Sequence, residues 1–358
     1  MKALGISKFG RKHLDFIDNH PKPIPQSSTD LLIKVEYSDL NPVDHHKLNM
    51  KPDGTETPPH RTPFIVGFGG CGVVEEVSSN ADDATRALLN KRVVFIADPG
   101  KDGSYAQYVC VDSRIVSVIP DDGTIASHEA ACIPIAGCTA LESLGKVGLP
   151  ITNDDHVPDA TVGEGKRLLI IGGAGGVGSW CTQLARSNYP SLDIVCTEGS
   201  AQSANWCKKM GCNSTINHDD IQSLGGGPKG SCDSIICLTE PTEQLFESIA
   251  EVLKPNGKIC LVVAGNGIKK LDCSFVFFKC GTVSFETVFT SIRDGYSIDQ
   301  SKEMSTILGL IQQGRLKVPL SEEWDDAKSN WKQSIKEGGY IDSLGEGHMK
   351  GKLVMKIE

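Results

Sequence analysis

Through residues 1–140, short apolar runs alternate with turn residues. Residues 31–37, 73–77, 92–96 and 105–109 each carry β-branched or aromatic side chains between turn formers, a pattern that predicts short, mostly antiparallel strands. Residues 1–6 read as an opening strand. Helical spacing runs from about Ala126 to Lys146 and is closed by Gly148 and Pro150. Residues 151–166 are polar and acid-rich, as an exposed loop would be. From Lys166 the pattern changes. Apolar strands at 167–171, 193–197, 233–237 and 258–263 alternate with helical stretches through 184–186, around 206–210 and over 243–253. Such alternation calls for a parallel sheet with helices on both faces. The last 75 residues return to a mixed pattern and end in a strand at 352–357, which predicts that the tail completes the first domain.

The composition narrows what such a chain can do. Hydrophobic residues make up 39% and charged residues 23% of 358, within the globular range. The net charge of -9, with acids and bases interspersed, argues against a nucleic acid as main partner. Thirteen cysteines include no C-x-x-C pair; the closest are Cys207/Cys212 and Cys232/Cys237. Structural zinc wants tighter ligand pairs, so buried free thiols in a reducing compartment are expected. No signal-peptide pattern opens the chain, and no run of about 18 apolar residues spans a membrane. A cytoplasmic protein is expected.

Candidate chemistry begins at Gly173-Ala174-Gly175-Gly176-Val177-Gly178, which fits G-x-G-x-x-G. The string follows an apolar strand and opens a helix, the context its mechanism requires. Gly173 is expected to make the tight turn and Gly175 to let the backbone approach a pyrophosphate. Gly176 and Val177 place N–H groups at the helix N-terminus, and Gly178 allows close packing. Glu198 ends the next strand twenty residues on, where a carboxylate accepts from an adenosine ribose. His218 is counted with the same cofactor-binding set. A second glycine run at 225–231 lacks the G-K-[S/T] order of a P-loop and reads as a surface turn.

Six stretches, in order, resemble the medium-chain dehydrogenase/reductase superfamily. They are Asn41-Pro42-Val43-Asp44, residues 67–74, 103–108, 136–140, 168–179 and 347–352. The resemblance is closest to its zinc-less quinone oxidoreductase and zinc-type alcohol dehydrogenase-like branch. It implies an α/β fold in which a doubly wound Rossmann sheet interrupts a GroES-like, mostly antiparallel β-domain, with the active site in the cleft between them. The implied limits are 1–140 for the first part of the catalytic domain and 141–280 for the Rossmann domain. Residues 281–358 would supply a Rossmann edge and complete the catalytic domain.

The same resemblance tests for zinc. Asn41, Phe68 and Ile135 stand where zinc-dependent relatives place ligands, and residues 96–104 hold none of the cysteines of a structural zinc. No zinc is therefore expected. His45 and His46 are taken to point apart in extended backbone. Zinc-less relatives reduce quinones or α,β-unsaturated carbonyl compounds with NAD(P)H. By that analogy Asn41 offers its amide to a carbonyl oxygen or the nicotinamide ribose, Asp44 holds the loop and Phe68 forms an apolar wall. Thr139 would touch the nicotinamide end, which Val263 and Ala264 would line. An alcohol or carbonyl dehydrogenase using a proton relay, and a non-catalytic dinucleotide-binding redox sensor, are the rival expectations.

Cofactor choice is divided. Ser200 suits the 2′-phosphate of NADPH, which the family mostly uses, whereas Glu198 repels it and favours NADH; Lys208 and Lys209 stand further along the helix. The resemblance also implies a homodimer or homotetramer through an edge strand near 281–287. Residues 48–62 and 286–300 carry no recognisable substrate code.

Overall fold

The computed structural model describes residues 1–49, 63–152, 161–321 and 349–357. Most of the expected loops at 48–62 and 151–166, and Gly347 and His348, lie outside them. The chain forms two compact units. One comprises Met1–Cys138, Phe289–Gly314 and Leu320–Glu358; the other comprises Thr139–Val288 and Arg315–Pro319.

The first unit opens with eight strands: β1 (Ala3–Ile6), β2 (Leu14–Ile17), β3 (Asp30–Leu40), β4 (Phe64–Ile65), β5 (Gly69–Val77), β6 (Arg92–Ile96), β7 (Tyr108–Asp112) and β8 (Val116–Val118). All pair antiparallel, and β3 is the spine, flanked by β5 and β7. The strand expected at 105–109 is displaced. Tyr105 turns fully inward and Ala106 makes only an isolated bridge to Ala3, so the ladder with β3 starts at Tyr108. The helix expected from 126 to 146 is two, Ser127–Ala130 and Pro134–Lys146. Pro134 has no N–H to continue the first helix and suits the start of the second. His45 and His46 lie on the helix Pro42–Asn49 rather than in extended backbone.

The second unit is built on β9 (Arg167–Ile171), β10 (Asp193–Glu198), β11 (Ser214–Asn217), β12 (Cys232–Cys237), β13 (Leu253–Leu261) and β14 (Thr282–Phe285). They form one parallel sheet in the order β11-β10-β9-β12-β13-β14. Helices Gly176–Asn188, Ala201–Met210 and Glu243–Val252 cross between strands. Both faces are covered, which is why Leu168, Leu169 and Ile170 form a continuous, fully buried apolar run. Phe246 and Ile249 pack against Leu169, Val195, Ile235 and Ile259 in its core. Strand order reverses between β9 and β12, and in such sheets ligands lie outside the carboxyl ends at that switch point. β13 ends at Leu261, so the strand expected to reach Val263 stops two residues short.

The tail adds β15 (Leu353–Lys356), which pairs antiparallel with β3, Leu353 opposite Leu40. This register sets residue 352 across from residue 41, although they are 311 apart in sequence. Ten of the thirteen cysteines are buried free thiols, but Cys273 and Cys280 are exposed, contrary to expectation. Among the described residues no helix is long and apolar enough to cross a membrane.

Candidate functional site

The carboxyl end of β9 runs directly into the glycine-rich turn. The left-handed residue is Gly172, at φ +82°, not Gly173 as the pattern predicted. Gly173 is required for space instead: a Cβ there would lie 2.6 Å from the Cys196 sulfur. Gly175 caps the helix Gly176–Asn188, and a Cβ on it would meet nothing nearer than the Gly172 carbonyl oxygen at 3.6 Å. The approach over the helix end is thus open. Gly178 is the opposite case, since its Cβ would lie 2.6 Å from the carbonyl oxygens of both Gly172 and Gly173. The N–H groups of Gly176, Val177 and Gly178 occupy the first turn, where no helix carbonyl precedes them. An anion is the natural occupant of such a helix start, and a dinucleotide pyrophosphate fits this turn.

The next two strands deliver the adenosine-side candidates. Glu198 ends β10, half-buried. Ser200 is exposed and caps the following helix, its Oγ accepting the Ser203 N–H at 3.2 Å. His218 follows β11 and is exposed. Its Nδ1 lies 2.7 Å from Thr197 Oγ1, which also accepts the Gly172 N–H at 3.1 Å. A Cβ on Gly199 would sit 3.4 Å from the His218 ring. Glu198, Ser200 and His218 therefore lie at the carboxyl ends of β10 and β11, on the same sheet edge as the glycine-rich turn that follows β9. Val263 and Ala264 follow β13 in exposed, non-strand backbone. Thr139 is buried in the helix Pro134–Lys146.

The first unit holds a buried polar cluster. Asn41 precedes the helix Pro42–Asn49, and its backbone N–H donates to Asp44 Oδ2 at 2.7 Å. The Asp44 N–H returns the bond to the Asn41 carbonyl at 2.9 Å. Asp44 thus closes the helix start in the manner of a capping-box acid. The Lys352 ammonium donates to Asn41 Oδ1 at 2.5 Å, to the Leu40 carbonyl at 3.0 Å and to Asp39 Oδ2 at 3.4 Å. Among the described residues Asn41 Nδ2 is buried without a hydrogen-bond partner, and the Tyr105 hydroxyl lies beside the Asp44 carboxyl. Burial, reinforced by the Asp39 carboxylate, pushes the Asp44 carboxyl up to about 8. Burial and the charges of Asp44 and Asp39 raise the Tyr105 phenol well above its ordinary value. Phe68 is 2% exposed and stacks edge-on against Phe289 at 5.2 Å between ring centres.

Residues 27–121 match the alcohol dehydrogenase GroES-like domain. A zinc-type alcohol dehydrogenase-like protein of Staphylococcus aureus is 31% identical over 294 residues, covering 81% of each chain. The chain belongs to the medium-chain dehydrogenase/reductase superfamily. Its relatives include the NADPH-dependent alkenal/one oxidoreductase of Arabidopsis thaliana chloroplasts, 26% identical over 70% of this chain and 63% of that one. The superfamily fold recurs in the quinone oxidoreductase of Escherichia coli solved with NADPH, with a TM-score of 0.76 at 17% identity over both full chains.

Zinc is tested by the donor set of this superfamily member. Of Asn41, Phe68 and Ile135 only Asn41 carries a donor atom, and its oxygen is already held by the Lys352 ammonium. Phenylalanine and isoleucine offer nothing to a cation that takes N, S or O ligands, so these three residues do not fit zinc. Among the described residues no group of three or more His, Cys, Asp or Glu side chains could hold a metal ion.

Sequence reasoning missed Thr197 beside the glycine-rich turn, and Asp39, Tyr105 and Lys352 in the buried polar cluster around Asn41. Lys352 and Tyr105 sat inside stretches that matched the family, and that was the one available signal. The partners of all four depend on strand pairing.

Proposed function

We propose that this protein is a zinc-independent reductase that transfers hydride from NAD(P)H to quinones or α,β-unsaturated carbonyl compounds. The observation that carries this reading is the Asn41 amide, buried, oriented by Lys352 and with its N–H₂ unclaimed. An amide N–H₂ in that state is a donor for the oxygen of a carbonyl substrate, where negative charge grows as hydride arrives. The dinucleotide, once bound, supplies the hydride. The chain's residues supply the rest. Gly176, Val177 and Gly178 hold the pyrophosphate, while Glu198, Ser200 and His218 recognise the adenosine ribose. Thr139, Val263 and Ala264 line the nicotinamide end, Asp44 fixes the backbone of Asn41, and Phe68 keeps water away. The Arabidopsis relative, named for alkenals, alkenones and NADPH, supports the substrate class and the dinucleotide. Glu198 inclines the choice toward NADH.

The deciding experiment is oxidation of NADH and NADPH by an ortho-quinone and by an α,β-enone, with and without a strong chelator. Turnover that survives the chelator is expected. Loss of activity on chelation would overturn the zinc-independent reading. Tight dinucleotide binding without turnover of either substrate would replace the reductase by a sensor.

We further propose a cytoplasmic homo-oligomer joined along β14. That strand is the edge of the parallel sheet, and Phe285, Phe277 and Phe278 near it are 54%, 77% and 83% exposed. Open edges and exposed aromatics need cover, and a second copy is the occupant we assign. Phe278→Glu should lower the molar mass measured by light scattering; an unchanged mass would remove this interface.

A further inference from the structure

Lys352 stands in a stretch that resembles the family, and the proposed reaction uses it only through the Asn41 amide. Its side chain is 3% exposed. An ammonium has three protons and no lone pair. Here the three protons meet three acceptors: Asn41 Oδ1 at 2.5 Å, the Leu40 carbonyl at 3.0 Å and Asp39 Oδ2 at 3.4 Å. Lys352 is therefore saturated and has no proton left for a ligand. It also settles the direction of the Asn41 amide. Only the oxygen can face an ammonium, because a flipped amide would set N–H₂ against three N–H donors. With Asn41 N–H on Asp44 and Asn41 C=O on the Asp44 N–H, every polar group of Asn41 is committed except Nδ2.

We infer that Lys352 is a positioning residue that locks Asn41 as a donor, and that it thereby restricts the site to ligands presenting an oxygen acceptor: a carbonyl, an enolate or a phenolate. The inference rests on the reductase reading for its substrates, but the amide geometry stands without it. A free asparagine amide could turn either end to a ligand and would accept from an alcohol as readily as donate to a ketone. The buried charge removes that choice. Specificity of this kind comes from the group that the site would leave unpaired with the wrong ligand.

Full-length variants K352M, K352Q, N41A and the double variant N41A/K352M test this. K352M should lower kcat for the ortho-quinone or enone at least tenfold while the dinucleotide Kd stays within twofold. K352Q keeps an amide donor and should recover part of the loss. In the N41A background K352M should cost less than a further twofold, although the melting temperature falls equally in both backgrounds. An equal loss of kcat with and without Asn41 would overturn the inference, because Lys352 would then act independently. Should K352M not fold, K352Q against N41A/K352Q is read in the same way. A second readout needs no turnover. With ¹⁵N-asparagine labelling, the Asn41 N–H₂ signals are identified by their loss in N41A. Their exchange with solvent should accelerate at least tenfold in K352Q, and an unchanged rate would overturn the inference. Faster exchange in K352Q, together with no turnover of quinone or enone by the wild type, would remove the reductase reading and uphold the positioning.

Discussion

Thr197 and His218 join the ends of neighbouring parallel strands, Oγ1 to Nδ1 at 2.7 Å, and the same hydroxyl accepts the Gly172 N–H at 3.1 Å. The glycine-rich turn after β9 and His218 after β11 are thereby tied through one buried oxygen. Thr197→Val keeps the shape and removes both bonds. A net hydrogen bond to a buried group contributes about 1 kcal/mol, so the dinucleotide Kd should rise about fivefold to thirtyfold. Fluorescence titration checks this, and an unchanged Kd would mean that the tie is structural only.

Glu198 sets a carboxylate at the end of β10, beside the exposed Ser200. A like charge beside a phosphate dianion costs about 1–3 kcal/mol when partly buried. Glu198→Ser should therefore shift the ratio of Kd values toward NADPH by about tenfold or more. Titration with both dinucleotides measures the ratio. A ratio that does not move would place the ribose substituent away from this strand end.

Gly178 has no room for a side chain. Its Cβ would approach the carbonyl oxygens of Gly172 and Gly173 to 2.6 Å, and both belong to backbone that cannot swing aside. Gly178→Val should destabilise the chain by about 3 kcal/mol or more and abolish dinucleotide binding. Thermal melting and titration report the two effects separately. A stable variant that still binds would show that helix and turn can separate without loss.

Asp44 makes stability fall as pH rises. Its carboxyl, at about 8 in the folded chain against an ordinary 3.8, keeps a proton that the unfolded chain releases. The folded state therefore binds the extra proton between about pH 4 and pH 8. Stability is greatest below that window, falls by up to about 1.4 kcal/mol per pH unit within it, and levels off above it. Asp44→Asn removes the titration and still accepts the Asn41 N–H. Its melting temperature should exceed the wild type's at pH 9 by several degrees and equal or fall below it at pH 5. A difference that is constant across pH would show that Asp44 does not carry the buried proton.

The second unit was largely legible in the sequence because its determinants are local. β9 is a continuous apolar run, the glycines follow at once, and Glu198 ends the next strand at the expected distance. Misreadings arose where a residue is held by something distant. Tyr105 is drawn into the interior beside Asp44 and Asp39, so the strand begins later than its pattern implies. The turn conformation belongs to Gly172, one residue before the motif, because motif spacing does not report φ.

By itself, then, the sequence determined the parallel sheet, the anion-binding turn and the superfamily, since each is written in neighbouring residues whose spacing follows backbone geometry. Only the tertiary structure decided which groups surround Asn41. Antiparallel register between β15 and β3 brings Lys352 from the far end of the chain onto its amide oxygen. Burial there makes an unclaimed N–H₂ costly and a charged neighbour decisive, and no local pattern encodes either.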